Sequence, residues 1–291
     1  MKYKLDKKGS NKISKIFIII GLALILTGPG KTFIKIFEQH QGAEINNNIV
    51  NSVIVEDKQD IAQADGFLED DISENDINEV LEEQNETYIP KYNIAELQEN
   101  YPNAWGILEK PDGSAFPIAS TNSDEEENYY LNHTLDGTYN TSGCLFLDNQ
   151  NDKGMQNQVT RIWGHNLLAA NMFGDLTEYQ NQGQSFYEQH KTYTLYTKNG
   201  VYSLEVFAAL EEDGTLQEFD YQSQDDFLKD MQENRSASNF TSDVTIEPDN
   251  KIVVLACCPD RGSAISGNNR FFVYTKVTPI YEYNLNNSKT L

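Results

Sequence analysis

Cysteine is scarce in this 291-residue chain, which holds three: Cys144, Cys257 and Cys258. Three are too few for a disulfide-stapled scaffold. The four histidines leave little room for a metal-rich protein, and no C-x2-C or H-x3-H spacing suits zinc. Basic side chains are outnumbered, 22 Lys and Arg against 45 Asp and Glu, for a net charge of −23. That balance excludes a nucleic-acid partner, because phosphate contacts need a basic face. Long apolar runs are missing as well. The uninterrupted run at 16–26 has 11 residues, against roughly 20 for a membrane span and about 7–15 for a secretory apolar core. Aromatic residues are not scarce: 16 Tyr and 14 Phe suffice for a buried core and exclude wholesale disorder.

Charge divides the chain in three. Residues 1–35 carry eight Lys against Asp6, net +7; residues 38–90 net −14; residues 91–291 net −16. The basic head followed by the run at 16–26, extended more weakly to Phe37, reads as a membrane anchor, with a cleaved signal and a buried soluble helix as the alternatives. Lys31 and Lys35 suit a headgroup layer. The six Lys before Ile16 stay in the cytoplasm, and everything after about residue 38 is then outside. Residues 38–90 read as an acidic flexible linker, because like charges repel and the apolar content cannot offset ordering entropy. Residues 91–291 read as one globular domain.

Within that domain residues 94–100 read as a short helix, and 105–108 and 115–118 as strands about a Pro-Asp-Gly turn. Residues 143–147 and 159–164 are further strands. Alternating apolar residues on both sides of Asn199-Gly200 signal a hairpin over 193–210. Residues 223–236 form an amphipathic pattern, with Phe227, Leu228 and Met231 on one face and Ser223 as the cap. The β-branched and aromatic stretches at 251–256 and 271–277 read as central strands. The pattern is that of a mainly β protein with helices (α+β), a β-barrel with helical insertions.

The cysteines carry the chemical interest. Cys257 and Cys258 close the 252–256 strand and, being adjacent, face opposite ways, one to the core and one to a cleft. A thiol nucleophile needs a base or cation beside it. His165 stands at a strand end in Trp163-Gly-His-Asn166; His133, His190 and His40 are the other imidazoles. Arg270 opens the 271–277 strand, and if that strand pairs with 251–256 it returns beside the cysteines. A guanidinium there suits a developing oxyanion. Buried structural thiols, a structural histidine and a surface arginine are the alternatives for each residue alone.

In this order, behind an N-terminal anchor, the motifs resemble those of the class B sortases of Gram-positive bacteria. Lys251-Ile-Val-Val-Leu-Ala-Cys-Cys258 is similar to the family's cysteine strand, Trp163-Gly-His-Asn166 to its histidine motif and Arg270-Phe-Phe-Val-Tyr274 to its arginine strand. Tyr130-Leu-Asn-His133, Gly143-Cys-Leu-Phe-Leu-Asp148, Met172-Phe-Gly-Asp-Leu176 and Ser185-Phe-Tyr187 also match. The resemblance implies a closed sortase-like β-barrel with an N-terminal helix and a long helix inserted before the cysteine strand. It implies a membrane-anchored cysteine transpeptidase with Cys258 as nucleophile, His165 as acid and base, and Arg270 as oxyanion partner, working without metal or cofactor. Its partners would be secreted proteins with a C-terminal sorting signal and an amine of a peptidoglycan cross-bridge or pilin. The sequence departs from the family at Ala256 and Cys257, where Ser and Thr are expected, and in the spacing between Cys258 and Arg270. Arg261 is the rival arginine. A catalytically degenerate peptide-binding module and a hydrolytic cysteine protease are the competing readings.

Overall fold

The structure, a computed structural model, describes residues 28–55, 88–167, 172–214, 221–260 and 267–283. The apolar run at 16–26 and Arg261 lie outside the described residues. Among the described residues eight strands form the frame: β1 (Ala104–Glu109), β2 (Ala115–Ala119), β3 (Leu145–Leu147), β4 (Val159–Trp163), β5 (Thr192–Thr197), β6 (Gly200–Asp213), β7 (Ile252–Cys257) and β8 (Asn269–Glu282). They close into a barrel in the order β1-β2-β3-β4-β7-β8-β6-β5. Most neighbours are antiparallel, but β2 with β3 and β4 with β7 run parallel. Among the described residues six helices decorate it: α1 (Gly28–Asn51), α2 (Ile94–Asn100), α3 (Asp124–Tyr130), α4 (Glu178–Asn181), α5 (Gln184–Gln189) and α6 (Gln224–Ala237).

The cysteine strand shows why the sequence closes this way. Every residue of β7 is buried. Val253, Leu255 and Cys257 face the interior cluster, while Ile252, Val254 and Ala256 face an outer cluster. That outer face is covered by Phe227 and Met231 of α6. A strand covered on both faces reads as a continuous apolar run rather than an alternating one. Helix α6 starts where expected, with the Ser223 hydroxyl accepting from the Asp226 amide at 3.1 Å. Helix α3 was not expected; Ser223's counterpart there is Ser123, ahead of four acids in the first turn, which suits the positive end of a helix dipole.

One expectation about the N-terminal part changes. The boundary placed between residues 37 and 38 falls inside α1, and the chain up to residue 55 packs on the barrel. Gln39, Asn46, Ile49, Val50 and Val53 are buried there. The Asn140 side-chain amide donates to the Glu38 carbonyl at 2.9 Å. Gly42 permits the approach, since a Cβ would come within 2.4 Å of Asn140 Oδ1. Charge averaged over 38–90 hid this, because the acids concentrate from Glu56 onward.

Of the expected linker over 38–90, residues 56–87 lie outside the described residues. The Val55 amide donates to the Lys91 carbonyl at 2.9 Å, and the Asn93 amide to the Val53 carbonyl at 2.8 Å. The described residues that flank 56–87 are therefore hydrogen-bonded to each other. Among the described residues no helix is long and apolar enough to cross a membrane.

Candidate active site

Strand β7 ends at Cys257, and Cys258 is the first residue beyond it. Cys257 points inward and is 1% exposed, packed in the interior cluster with Leu255 and Phe271. Cys258 is half-buried, and all three cysteines are free thiols. The alternation of a strand thus separates one sealed sulfur from one reachable sulfur.

The parallel neighbour brings the imidazole. Trp163 of β4 is in register with Ala256 of β7, and the Gly164 amide donates to the Ala256 carbonyl at 3.0 Å. His165 therefore leaves its strand beside the Cys257-Cys258 end. Gly164 has no room for a side chain: a Cβ would come within 2.4 Å of Leu145 and 2.6 Å of Phe173. The antiparallel neighbour brings the guanidinium. Cys257 pairs with Phe271 of β8, so Arg270 stands across from Cys258. His165, Cys258 and Arg270 line one cavity of about 480 Å³, together with the buried Cys257 and with Lys35, Glu127 and Asp260.

The imidazole is oriented by backbone. His165 Nε2 lies 2.7 Å from the Leu131 carbonyl. A carbonyl can only accept, so Nε2 carries the hydrogen and Nδ1 is left to take up a proton. Burial pulls the His165 pKa below its usual value; the Leu131 bond opposes that, and the Lys35 charge adds to it. The ring is thus held neutral near neutral pH. The other two cysteines are poor nucleophiles. Burial pushes the Cys144 thiol up to about 12 and Cys257 well above its ordinary value, and a thiol kept protonated does not attack. Cys144 donates to the Pro117 carbonyl at 3.2 Å.

Arg270 is folded onto its own loop. Its Nη1 donates to the Asn269 carbonyl at 2.7 Å and to the Gly267 carbonyl at 3.2 Å. To meet a substrate oxygen it has to exchange those exposed contacts, which a charged donor does at small cost in a solvated position. The remaining histidines have structural partners or sit outside the cavity. His133 stacks on Tyr129 at 3.8 Å and His190 on Phe186 at 3.8 Å. His40 is exposed on α1. Arg161 is buried and pairs with Asp148 at 3.2 Å.

Three contributors carry no assigned role at the site in the sequence reading. Asn166, buried beside the cavity, donates from Nδ2 to the Cys258 carbonyl at 3.0 Å and the Pro259 carbonyl at 3.2 Å. It ties the histidine segment to the cysteine turn, and its place directly after His165 was the available signal. The Leu131 carbonyl carries no side-chain signal at all. Lys35 reaches the cavity because α1 docks there, which its sequence position in the expected anchor hid. A reachable thiol, a neutral oriented imidazole and a nearby cation can together open an acyl bond through a covalent intermediate.

No protein-family profile matches the chain. It is similar to Sortase B of Staphylococcus aureus, 29% identical over 154 residues, which cover 52% of this chain and 61% of that protein. It is similar also to Sortase B of Listeria monocytogenes, 28% identical over 145 residues, 49% of this chain and 57% of that one. The chain thus spans about three fifths of the length of the curated relatives it matches. Among solved structures, sortase B from B. anthracis in complex with AAEK1 superposes with a TM-score of 0.62 at 20% identity, covering 85% of this chain and 99% of that one.

Proposed function

We propose that this chain, a class B sortase by sequence likeness and by fold, is a cysteine transpeptidase tethered to the membrane through its N-terminal segment. It takes a C-terminal sorting signal of a secreted protein and joins it to a cell-wall or pilin amine. The observation that carries the reading is that Cys258, the reachable thiol among the three cysteines, shares one cavity with His165 and Arg270.

In the first half-reaction the Cys258 sulfur attacks the scissile carbonyl carbon as its proton passes to the imidazole. Arg270 stabilises the tetrahedral oxyanion. The C–N bond breaks, the imidazolium returns its proton to the departing amine, and a thioester remains on Cys258. In the second half-reaction the neutral imidazole takes a proton from the incoming amine as it attacks the thioester. The tetrahedral adduct collapses to a new amide, and the sulfur leaves with the proton. Splitting the exchange into two steps is what a covalent nucleophile contributes. Asn166 keeps sulfur and imidazole in register throughout.

The test is mass spectrometry of the protein incubated with a library of sorting-type peptides, N-P-x-T-N-like ones included. The wild-type chain and Cys257→Ala acquire a thioester adduct, and Cys258→Ala does not. Added amine then converts adduct to amide product. Reversible peptide binding with no adduct on Cys258 overturns the proposal in favour of a binding module. An adduct that water clears even with abundant amine overturns it in favour of a protease.

A further inference from the structure

The N-terminal helix has two faces of opposite character. Phe33, Ile34 and Phe37 are 72%, 40% and 56% exposed, whereas Gln39 and Asn46 are fully buried against the barrel. At about 100° per residue, Phe37 lies about 40° around the helix from Phe33 and Lys35 about 200°. The large apolar side chains therefore point away from the barrel, while Lys35 points toward the catalytic cavity that it lines. Exposed aromatic residues clustered at one helix end mark an interaction surface.

Chain connectivity identifies what covers it. The apolar run at 16–26 ends one residue short of Gly28, where α1 begins. Nothing long enough to act as a spacer separates the two. The acidic residues 56–87 follow α1 in the chain rather than precede it, and the residues that flank them are hydrogen-bonded to each other, Val55 to Lys91 and Asn93 to Val53. The occupant is then the lipid surface of the tethered reading, in which the run at 16–26 is the anchor, not a second copy of the chain. Residues 91–291 carry a net −16, which an anionic surface repels, and the exposed face of α1 presents the uncharged Phe33, Ile34 and Phe37, so the contact of this face is one of apolar insertion.

We propose that α1 seats the catalytic domain directly on the bilayer, with Phe33, Ile34 and Phe37 inserted among the lipid headgroups. The inference rests on the tethered-transpeptidase reading and adds orientation to it. Lys35 follows the start of α1 by seven residues, about 10 Å of helix, and the helix itself is about 10–12 Å thick. The cavity mouth thereby lies roughly one helix diameter above the lipid surface. An emerging sorting signal meets the thiol before its carrier protein has left the membrane, and the domain does not have to search on a long tether.

The test uses the full chain in zwitterionic vesicles with and without brominated acyl chains. Phe33→Trp and Phe37→Trp add a fluorophore on the outward face, and Ile280→Trp, at a residue 50% exposed on β8, serves as control. Brominated lipid is expected to quench at least half of the added emission at 33 and 37 and none at 280, with little change at high salt. Vesicle flotation, scored separately, tests the tether. A chain that floats but shows unquenched emission at 33 and 37 overturns the seating and leaves the tether standing; a chain that does not float overturns both. Cross-linking between positions 33 of two copies, with no quenching, overturns it in favour of a dimer. Phe33→Ser/Phe37→Ser should keep the rate on soluble peptide within twofold while the rate on a vesicle-tethered peptide falls about tenfold. Equal rates on both substrates for that variant count against the seating.

Discussion

Lys110 is the side chain whose loss should be felt most widely. Its ammonium is 2% exposed and lies 2.6 Å from Asp175 Oδ2, itself 16% exposed. It also donates to the Met172 carbonyl at 3.2 Å. Met172 holds a φ of +51° in the loop that follows His165, and the Phe173 amide donates to the His165 carbonyl at 3.2 Å. The buried pair thus fastens that loop to the hairpin between β1 and β2. Lys110→Met keeps the aliphatic stem and removes the charge, stranding the Asp175 carboxylate. Removing one partner of a buried ion pair costs about 3–5 kcal/mol, and the residual exposure of Asp175 places this one near 3. At roughly 2–4 °C per kcal/mol for a domain of this size, the melting temperature should fall by about 6–12 °C. Replacing both partners, as in Lys110→Met/Asp175→Leu, leaves no stranded charge and should recover most of that loss. Denaturant unfolding of the four proteins completes the cycle. A single-variant loss under about 1 kcal/mol, or a double variant no better than Lys110→Met, would refute the argument.

Further outcomes follow from the same geometry. A thiol reagent should label one cysteine quickly in the native protein, Cys258, and all three after denaturation, because burial holds Cys144 and Cys257 protonated; fast native labelling of a second site contradicts this. His165, whose pKa burial lowers, should stay neutral below the pH of about 6.5 at which a free imidazole takes its proton. The unfolded chain then binds that proton first. The contribution of this group to stability is whole above about 6.5 and shrinks as pH falls toward the folded value. His165→Gln should flatten that slope, and an imidazole titration by NMR at or above 6.5 would contradict it.

Much of the barrel was legible because its strands are short apolar segments set off by strong turn signals. Asn199-Gly200 marks a hairpin, and Ser223 marks a helix start, through chemistry local to a few residues. The two-residue alternation of a strand likewise required that Cys257 and Cys258 face apart. The order of residues along the chain could not decide which strands are neighbours. Parallel pairing of β4 with β7 joins segments about ninety residues apart, and only closure of the barrel sets Trp163 beside Ala256 and Arg270 across from the cysteine turn. Nor could composition locate α1: its buried face carries Gln39 and Asn46, polar residues that hide a docked helix from any hydropathy pattern. Residue types and local periodicity therefore determined the elements and the chemical candidates. Long-range packing alone decided which candidates meet, because a contact between distant segments depends on the shape that every other segment has already taken.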